Sequence, residues 1–263
     1  QNSQDAYQRD VLEFARIVQE KYNLSLDEAS KTEVVAYLLQ LKNTGKSSAT
    51  VNRKAASLRA FYNFMTEMNY ISENPAVNIK SPKIERKGIE YLTIEEVDTL
   101  LSIPDTSIKG LRDKAILELL YATGVRVSEI VEMNIEDVNL RMGFVTCTGE
   151  HGKARIIPMG RPCRAAVEEY IFEVRPKFIK DSEDSDSPNA LFLNFFGKRM
   201  TRQGLWKLLK EYAKSAGIEN RLTPQTLRNT FAVHMIQNGA DLKSLQELLG
   251  HEDISATQIY LTV

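Results

Sequence analysis

The 263-residue chain carries 34 basic and 35 acidic side chains, a formal charge of −1, and is 43% hydrophobic. That composition excludes a disordered or fibrous chain and allows one large or two medium cores. Its two cysteines, Cys147 and Cys163, have no metal-box spacing, and no apolar run is long enough to cross a membrane. Zinc-box, disulfide-framework and membrane-spanning classes therefore fall away, and a cytoplasmic chain with two packed thiols is expected.

The charge is unevenly spread. Residues 1–40 hold four basic and seven acidic side chains, a net of −3, whereas residues 41–90 hold nine basic and four acidic ones, a net of +5. A basic excess confined to one stretch is compatible with a nucleic-acid surface despite the neutral total.

In chain order, Tyr7, Val11, Leu12, Phe14, Ala15 and Val18 predict a helix over 3–20. A second runs from near Asp27 to Gly45, with Val34, Val35, Leu38, Leu39 and Leu41 as its apolar face. A third starts at Ser47 or Ser48 and reaches about Tyr70. Its opening places Lys46, Ser47, Ser48, Thr50, Arg53, Lys54 and Ser57 where backbone N–H groups, hydroxyls and cations could hold a DNA phosphate together. The plain alternative is a capped helix with a solvated charged face. Asn74-Pro75 is read as the start of a short helix.

Residues 81–92 lack amphipathic period and contain Pro82 and Gly88, which marks an interdomain linker. Domains are expected at 1–80 and 93–263. Thr93-Ile94-Glu95-Glu96 has the form of a capping box. Helices follow at 94–102 and 107–123, and Gly124 breaks the second. Strands are predicted at 144–148 and 154–158, joined by a Gly149–Lys153 hairpin in which His151 is a turn residue. A long helix covers 161–179, an acidic surface loop 181–188, a strand 191–193 and a helix 201–216. The expected fold is mainly α: a helical N-terminal domain, then a mostly helical domain with a small antiparallel sheet.

The chemistry-bearing residues gather late. Thr223 and Pro224 suit the N-cap and first turn of a helix on which Gln225 and Arg228 share a face. Gly250 closes the apolar run Leu245, Leu248, Leu249 as a helix-ending glycine, with His251 next and Tyr260 nine residues on. His234 lies among Phe231, Val233 and Met235 and reads as structural. Singly, each has a bland role: Arg228 a helix ion pair, His251 a cap, Tyr260 a half-buried core aromatic, Lys153 a solvated turn lysine.

Together the pattern resembles the C-terminal box of the tyrosine recombinases of the phage integrase family, closest to the Xer-type enzymes. That box reads His-x-x-Arg, Leu-Gly-His and Tyr; here it reads Gln225-x-x-Arg228, Leu249-Gly250-His251 and Tyr260. Ala122–Glu129 resembles the first arginine box. The resemblance implies catalytic roles for Arg126, Lys153, Gln225, Arg228 and His251, with Tyr260 as nucleophile and Glu129 in support. It further implies a SAM-like core-binding N-terminal domain, a duplex DNA target clamped between the domains, and four protomers on two sites. A second recombinase or a DNA translocase is a further implied partner. Neither metal nor cofactor is implied.

Tyr260 would attack the scissile phosphate, Arg126, Arg228 and His251 would hold its oxygens, and Lys153 would protonate the leaving 5′ oxygen. Gln225 departs from the family, because glutamine cannot take a proton where histidine can. A slowed enzyme is expected, its loss partly recovered by arginines that lower the phenol pKa. The chain starts at Gln1 rather than Met, as a processed or trimmed chain does, and stops three residues after Tyr260, where the Xer pattern continues into a docking tail; either the tail has been removed or assembly works differently, and weak self-association without DNA is expected. Two other readings remain open: a non-cutting DNA-binding protein on the same scaffold, and a type IB topoisomerase.

Overall fold

The computed structural model describes residues 2–79, 88–149, 152–179 and 188–262. The chain forms two compact units, Gln1–Lys87 and Gly88–Val263. Residues 81–87 of the expected linker, His151 of the hairpin and residues 181–187 of the acidic loop lie outside the described residues. Residues 88–92 belong to the second unit instead of a linker. Leu92 is fully buried, and its N–H donates to Thr230 Oγ1 at 3.0 Å.

The first unit packs helices α1 (Asn2–Tyr22), α2 (Lys31–Asn43) and α3 (Ser48–Glu67). Phe14 and Val18 of α1 meet Val34, Tyr37, Leu38 and Leu41 of α2, and Val51, Ala55, Leu58 and Tyr62 of α3. These repeat at three- and four-residue spacing, so each helix buries one stripe. Each fully buried side chain contributes about 1.5–3 kcal/mol. The second helix starts four residues later than expected because Ser30, not Asp27, makes the capping box with Glu33. Asn74-Pro75 opens a turn, not a helix, with Asn74 Oδ1 accepting from the Ala76 N–H at 2.7 Å.

The second unit is built on α5 (Ile108–Thr123), which buries Ala115, Ile116, Leu117, Leu119 and Leu120 and is therefore apolar on most of its circumference. The capping box at Thr93 and Glu96 opens α4 (Ile94–Ser102). After α6 (Val127–Glu132) comes a three-stranded antiparallel sheet, β1 (Val138–Asn139), β2 (Phe144–Thr148) and β3 (Ala154–Pro158), with Val145 opposite Ile157 and Cys147 opposite Arg155. Val145, Cys147 and Ile157 point into the core. Burial raises both cysteine thiols to about 12, so neither is a ready nucleophile.

The long helix over 161–179 is α7 (Arg161–Glu169), a π-turn (Tyr170–Val174) and α8 (Arg175–Ile179). Instead of a strand at 191–193 there are two isolated bridges, Asn134 with Ala190 and Leu193 with Arg199. The buried Arg175 and Tyr170 side chains bind the carbonyls of Ala190 and Leu191 and occupy acceptors a ladder would need. Helices α9 (Arg202–Ser215), α10 (Pro224–Gln237), α11 (Leu242–Leu249) and α12 (Ser255–Gln258) lead to a final 3-10 turn, Ile259–Thr262. No described helix is long and apolar enough to cross a membrane.

Candidate active site

Two left-handed glycines set the positions of the basic residues. Gly124 ends α5 at φ +58°, and a Cβ there would stand 2.4 Å from the Phe231 ring. Gly250 ends α11 at φ +63°, against the Arg155 side chain. Helix ends leave carbonyls without intrahelical partners, and arginines occupy them. Arg228 donates from Nη1 to the Gly124 carbonyl at 2.5 Å and from Nη2 to the Leu249 carbonyl at 2.6 Å. Arg126 donates from Nη2 to the Gly250 carbonyl at 3.1 Å, and Arg155 from Nε to the Leu248 carbonyl at 2.7 Å. The successive carbonyls of Leu248, Leu249 and Gly250 thus each hold one of three arginines.

Arg126 is the N-cap of α6. Its positive charge is unfavourable there and is offset by Glu129, which accepts the Arg126 backbone N–H at 2.7 Å and its Nη1 at 3.2 Å. Glu129 also takes both Nη groups of Arg155. Burial works to raise this carboxyl, but the bonds from Arg155 and Arg126 and their charges hold it below its ordinary value. Arg228, 4% exposed, makes no carboxylate contact among the described residues. Burial, then Arg126, lowers it to about 10, so it stays protonated at neutral pH. Three guanidiniums against one carboxylate make an anion site.

His251 follows Gly250, with Nδ1 2.9 Å from the hydroxyl of buried Thr257. Burial, then Arg228, Arg126 and Arg155, lower the imidazole to about 4. It is neutral at pH 7, and a Thr257 hydroxyl donating to Nδ1 leaves the other ring nitrogen to donate to a phosphate oxygen. Tyr260, 3% exposed, donates its hydroxyl to Asn229 Oδ1 at 3.2 Å. Burial raises its pKa; Arg228 and Arg126 pull it down by less. The expected arginine effect on the phenol is present but outweighed.

Gln225 donates from Nε2 to the same Asn229 Oδ1 at 2.9 Å. Lys153 is exposed, and its ammonium makes no hydrogen bond with the described residues. The sheet ladder continues through the Gly149 N–H to the Lys153 carbonyl at 3.0 Å, so strand alternation assigns Lys153 and Arg155 to one face. His234 is buried, its Nδ1 3.1 Å from the Tyr121 hydroxyl, consistent with a structural role.

Sequence reasoning missed two members. Arg155 was legible only as the residue two beyond Lys153 on a strand, and Asn229 only as the residue four beyond Gln225 on a helix. In the first unit, two expected phosphate contacts are corrected. Lys54 and Ser57 are 5% and 1% exposed. Lys54 Nζ binds Asp10 at 3.1 Å and Glu13 at 2.8 Å, and Ser57 binds Asp10 at 2.8 Å. The buried Asp10 carboxylate needs these donors, and Arg53, half exposed, also pairs with it. Lys46, Ser47 and Ser48 are exposed at the start of α3 and Thr50 partly so, with Ser47 Oγ capping the Thr50 N–H at 3.2 Å.

Residues 90–263 match the model of the phage integrase family, and residues 1–69 match the phage integrase N-terminal SAM-like domain. The chain belongs to the phage integrase family. The tyrosine recombinases XerD of Oceanobacillus iheyensis and Staphylococcus haemolyticus are 43% and 42% identical to this integrase-family chain, covering 100% of it and 88% of each relative. The XerH site-specific recombinase bound to palindromic difH substrate shares the fold at a TM-score of 0.81 and 22% identity, over 98% of this chain and 75% of that one. The Tn1549 transposon integrase with circular intermediate DNA does so at 0.79 and 22%, over 94% and 86%. Within the family the chain is a tyrosine recombinase of Xer type, an enzyme of site-specific recombination that cuts and rejoins DNA.

Proposed function

We propose that Tyr260 is the nucleophile and that Arg126, Arg228 and His251 hold the scissile phosphate of a duplex DNA site. The observation that carries this is geometric: Arg126 and Arg228 are tied to the successive carbonyls of Gly250 and Leu249 beside His251, and the buried Tyr260 hydroxyl is bonded to Asn229, the residue after Arg228. The phenol gives up its proton to solvent, and the phenolate oxygen forms a bond to phosphorus as the bond from phosphorus to the 5′ oxygen breaks, leaving a 3′-phosphotyrosine. Arg126 and Arg228 neutralise the charge that builds on the non-bridging oxygens, and Arg155 and Glu129 hold Arg126 in place. Lys153 donates the proton that the 5′ oxygen takes up. Attack by a partner strand's 5′ hydroxyl reverses these steps, which need no ATP because the bond energy is kept in the phosphotyrosine.

The supporting comparisons are recombinases solved with DNA, which favours a DNA partner and assembly of several protomers on it. The finer reading is a tetramer on two sites, acting in the cytoplasm in chromosome dimer resolution or mobile-element movement, alone or with a second recombinase or a translocase. In the first unit Lys46, Ser47, Ser48 and Thr50 meet the DNA backbone. Gln225 slows cleavage by leaving the phenol proton without a histidine to receive it. The non-cutting alternative is not favoured, since the relatives are named as recombinases along the whole chain.

Covalent capture on nicked duplex DNA carrying a library of sites tests this reading. A denaturing-gel band that Tyr260→Phe abolishes is the expected result. Binding with no such band, from the wild type and from Gln225→His alike, would overturn it in favour of the non-cutting protein.

A further inference from the structure

Asn229 carries none of the proposed chemical roles, yet it joins Gln225 and Tyr260 and ties both to the Glu90 backbone. It lies on α10 one residue after Arg228 and four after Gln225. Its Nδ2 donates to the Glu90 carbonyl at 3.1 Å. A backbone carbonyl can only accept, so this bond fixes which end of the carboxamide faces which way. Oδ1 is left facing the site, where it accepts from the Tyr260 hydroxyl at 3.2 Å and from Gln225 Nε2 at 2.9 Å. One oxygen with two lone pairs thus takes one bond from the phenol and one from the glutamine.

We propose that Asn229 is a positioning residue for the nucleophile: its oriented carboxamide, braced by Glu90 and Gln225, holds the Tyr260 hydroxyl by its proton. With the hydroxyl anchored at Asn229, the phenolic oxygen is held in one place until solvent takes its proton and the phenolate attacks phosphorus. Without the carboxamide the phenol rotates about its C–O bond, and its proton can turn toward an incoming phosphate oxygen. Gln225 acts through Asn229: its Nε2 occupies the second lone pair and keeps Oδ1 from drawing a competing donor. The proposal deepens the assignment of Tyr260 as nucleophile and rests on it.

The two ends of the carboxamide can be tested apart. Asn229→Asp keeps an oxygen acceptor for Tyr260 and loses the donor to Glu90. Asn229→Ala loses both. The experiment uses the full chain on the nicked substrate captured by the wild type, recording the maximal single-turnover rate, the half-saturating DNA concentration and the melting temperature. Positioning predicts that Asn229→Ala lowers the maximal rate by about 10²-fold, the scale of a misplaced reacting group, with the half-saturating concentration unchanged. Asn229→Asp recovers about tenfold or more of that loss. Its carboxyl can also take the phenol proton, so its pH–rate profile flattens above the carboxyl's own titration while the wild-type profile keeps rising.

A purely structural tie to Glu90 predicts instead that both variants lose equally, in rate and in melting temperature, and that result would overturn the proposal. So would an Asn229→Ala enzyme with the wild-type maximal rate. A wild type that forms no Tyr260-dependent adduct overturns the nucleophile assignment itself, and is recognised before either variant is made.

Discussion

Arg155 and Glu129 face each other in a two-pronged pair, Nη1 to Oε1 at 2.6 Å and Nη2 to Oε2 at 2.9 Å, with both side chains largely buried. Glu129 reaches back to Arg126 with the same two oxygens. A strand residue absent from the sequence motifs therefore fixes, through one carboxylate, Arg126, which is more exposed than Arg228.

Removing the charge of Glu129 leaves the largely buried Arg155 guanidinium without its carboxylate, which costs about 3–5 kcal/mol. Glu129→Gln lowers the melting temperature at pH 7. Its carboxyl is held below the ordinary value in the fold, so its contribution is complete above pH 4.5 and fades as pH falls through the depressed value. The gap between wild type and Glu129→Gln in thermal scans narrows from pH 7 toward pH 3. Equal melting temperatures at pH 7 would contradict the pairing.

Cleavage should accelerate with pH. The Tyr260 phenol is raised by burial, and its described side-chain partner, Asn229, does not titrate. Between pH 6 and 9 the reactive phenolate fraction grows about tenfold per unit, and the single-turnover rate follows it. A plateau beginning between pH 6 and 7 would contradict this and reveal a titrating base beside the phenol.

Gln225→His restores a group that can take a proton beside the phenol. A missing general base costs about 10²–10⁴-fold, so the variant should cleave at least tenfold faster on the nicked substrate near pH 7, where the phenol is protonated. An unchanged rate would show that Gln225 does not slow this enzyme.

In the first unit, Lys54→Met removes one of three donors from the buried Asp10 carboxylate and destabilises the protein by about 1.5–3 kcal/mol. Lys46→Ala leaves the melting temperature unchanged and weakens DNA binding, lowering the slope of log affinity against log salt by about 1. Titrations at several salt concentrations beside thermal scans separate the two. A salt slope that Lys46→Ala leaves intact would remove this helix start from the DNA interface.

The helices were legible because their signals are local: Thr93 with Glu96, Ser47, Thr223 with Pro224, and the helix-ending Gly124 and Gly250 act within one or two turns. Alternation gave β2 and β3 at their observed bounds. The strand at 191–193 was misread because the donors that take the Leu191 carbonyl, Tyr170 and Arg175, lie 21 and 16 residues earlier in the chain. Lys54 looked like a phosphate contact because nothing within α3 announces Asp10, 44 residues away.

The sequence by itself determined the family and the order of the reactive residues, since their types and spacings are properties of the chain. Only the tertiary structure decided their chemical states. Burial and the arginines together keep His251 neutral, while burial keeps Tyr260 protonated against Arg228 and Arg126, because desolvation depends on what packs over a group. Pairing, too, came from packing. Arg155 reaches Glu129, and Asn229 reaches Tyr260 across 31 residues of sequence, through the geometry of helix ends.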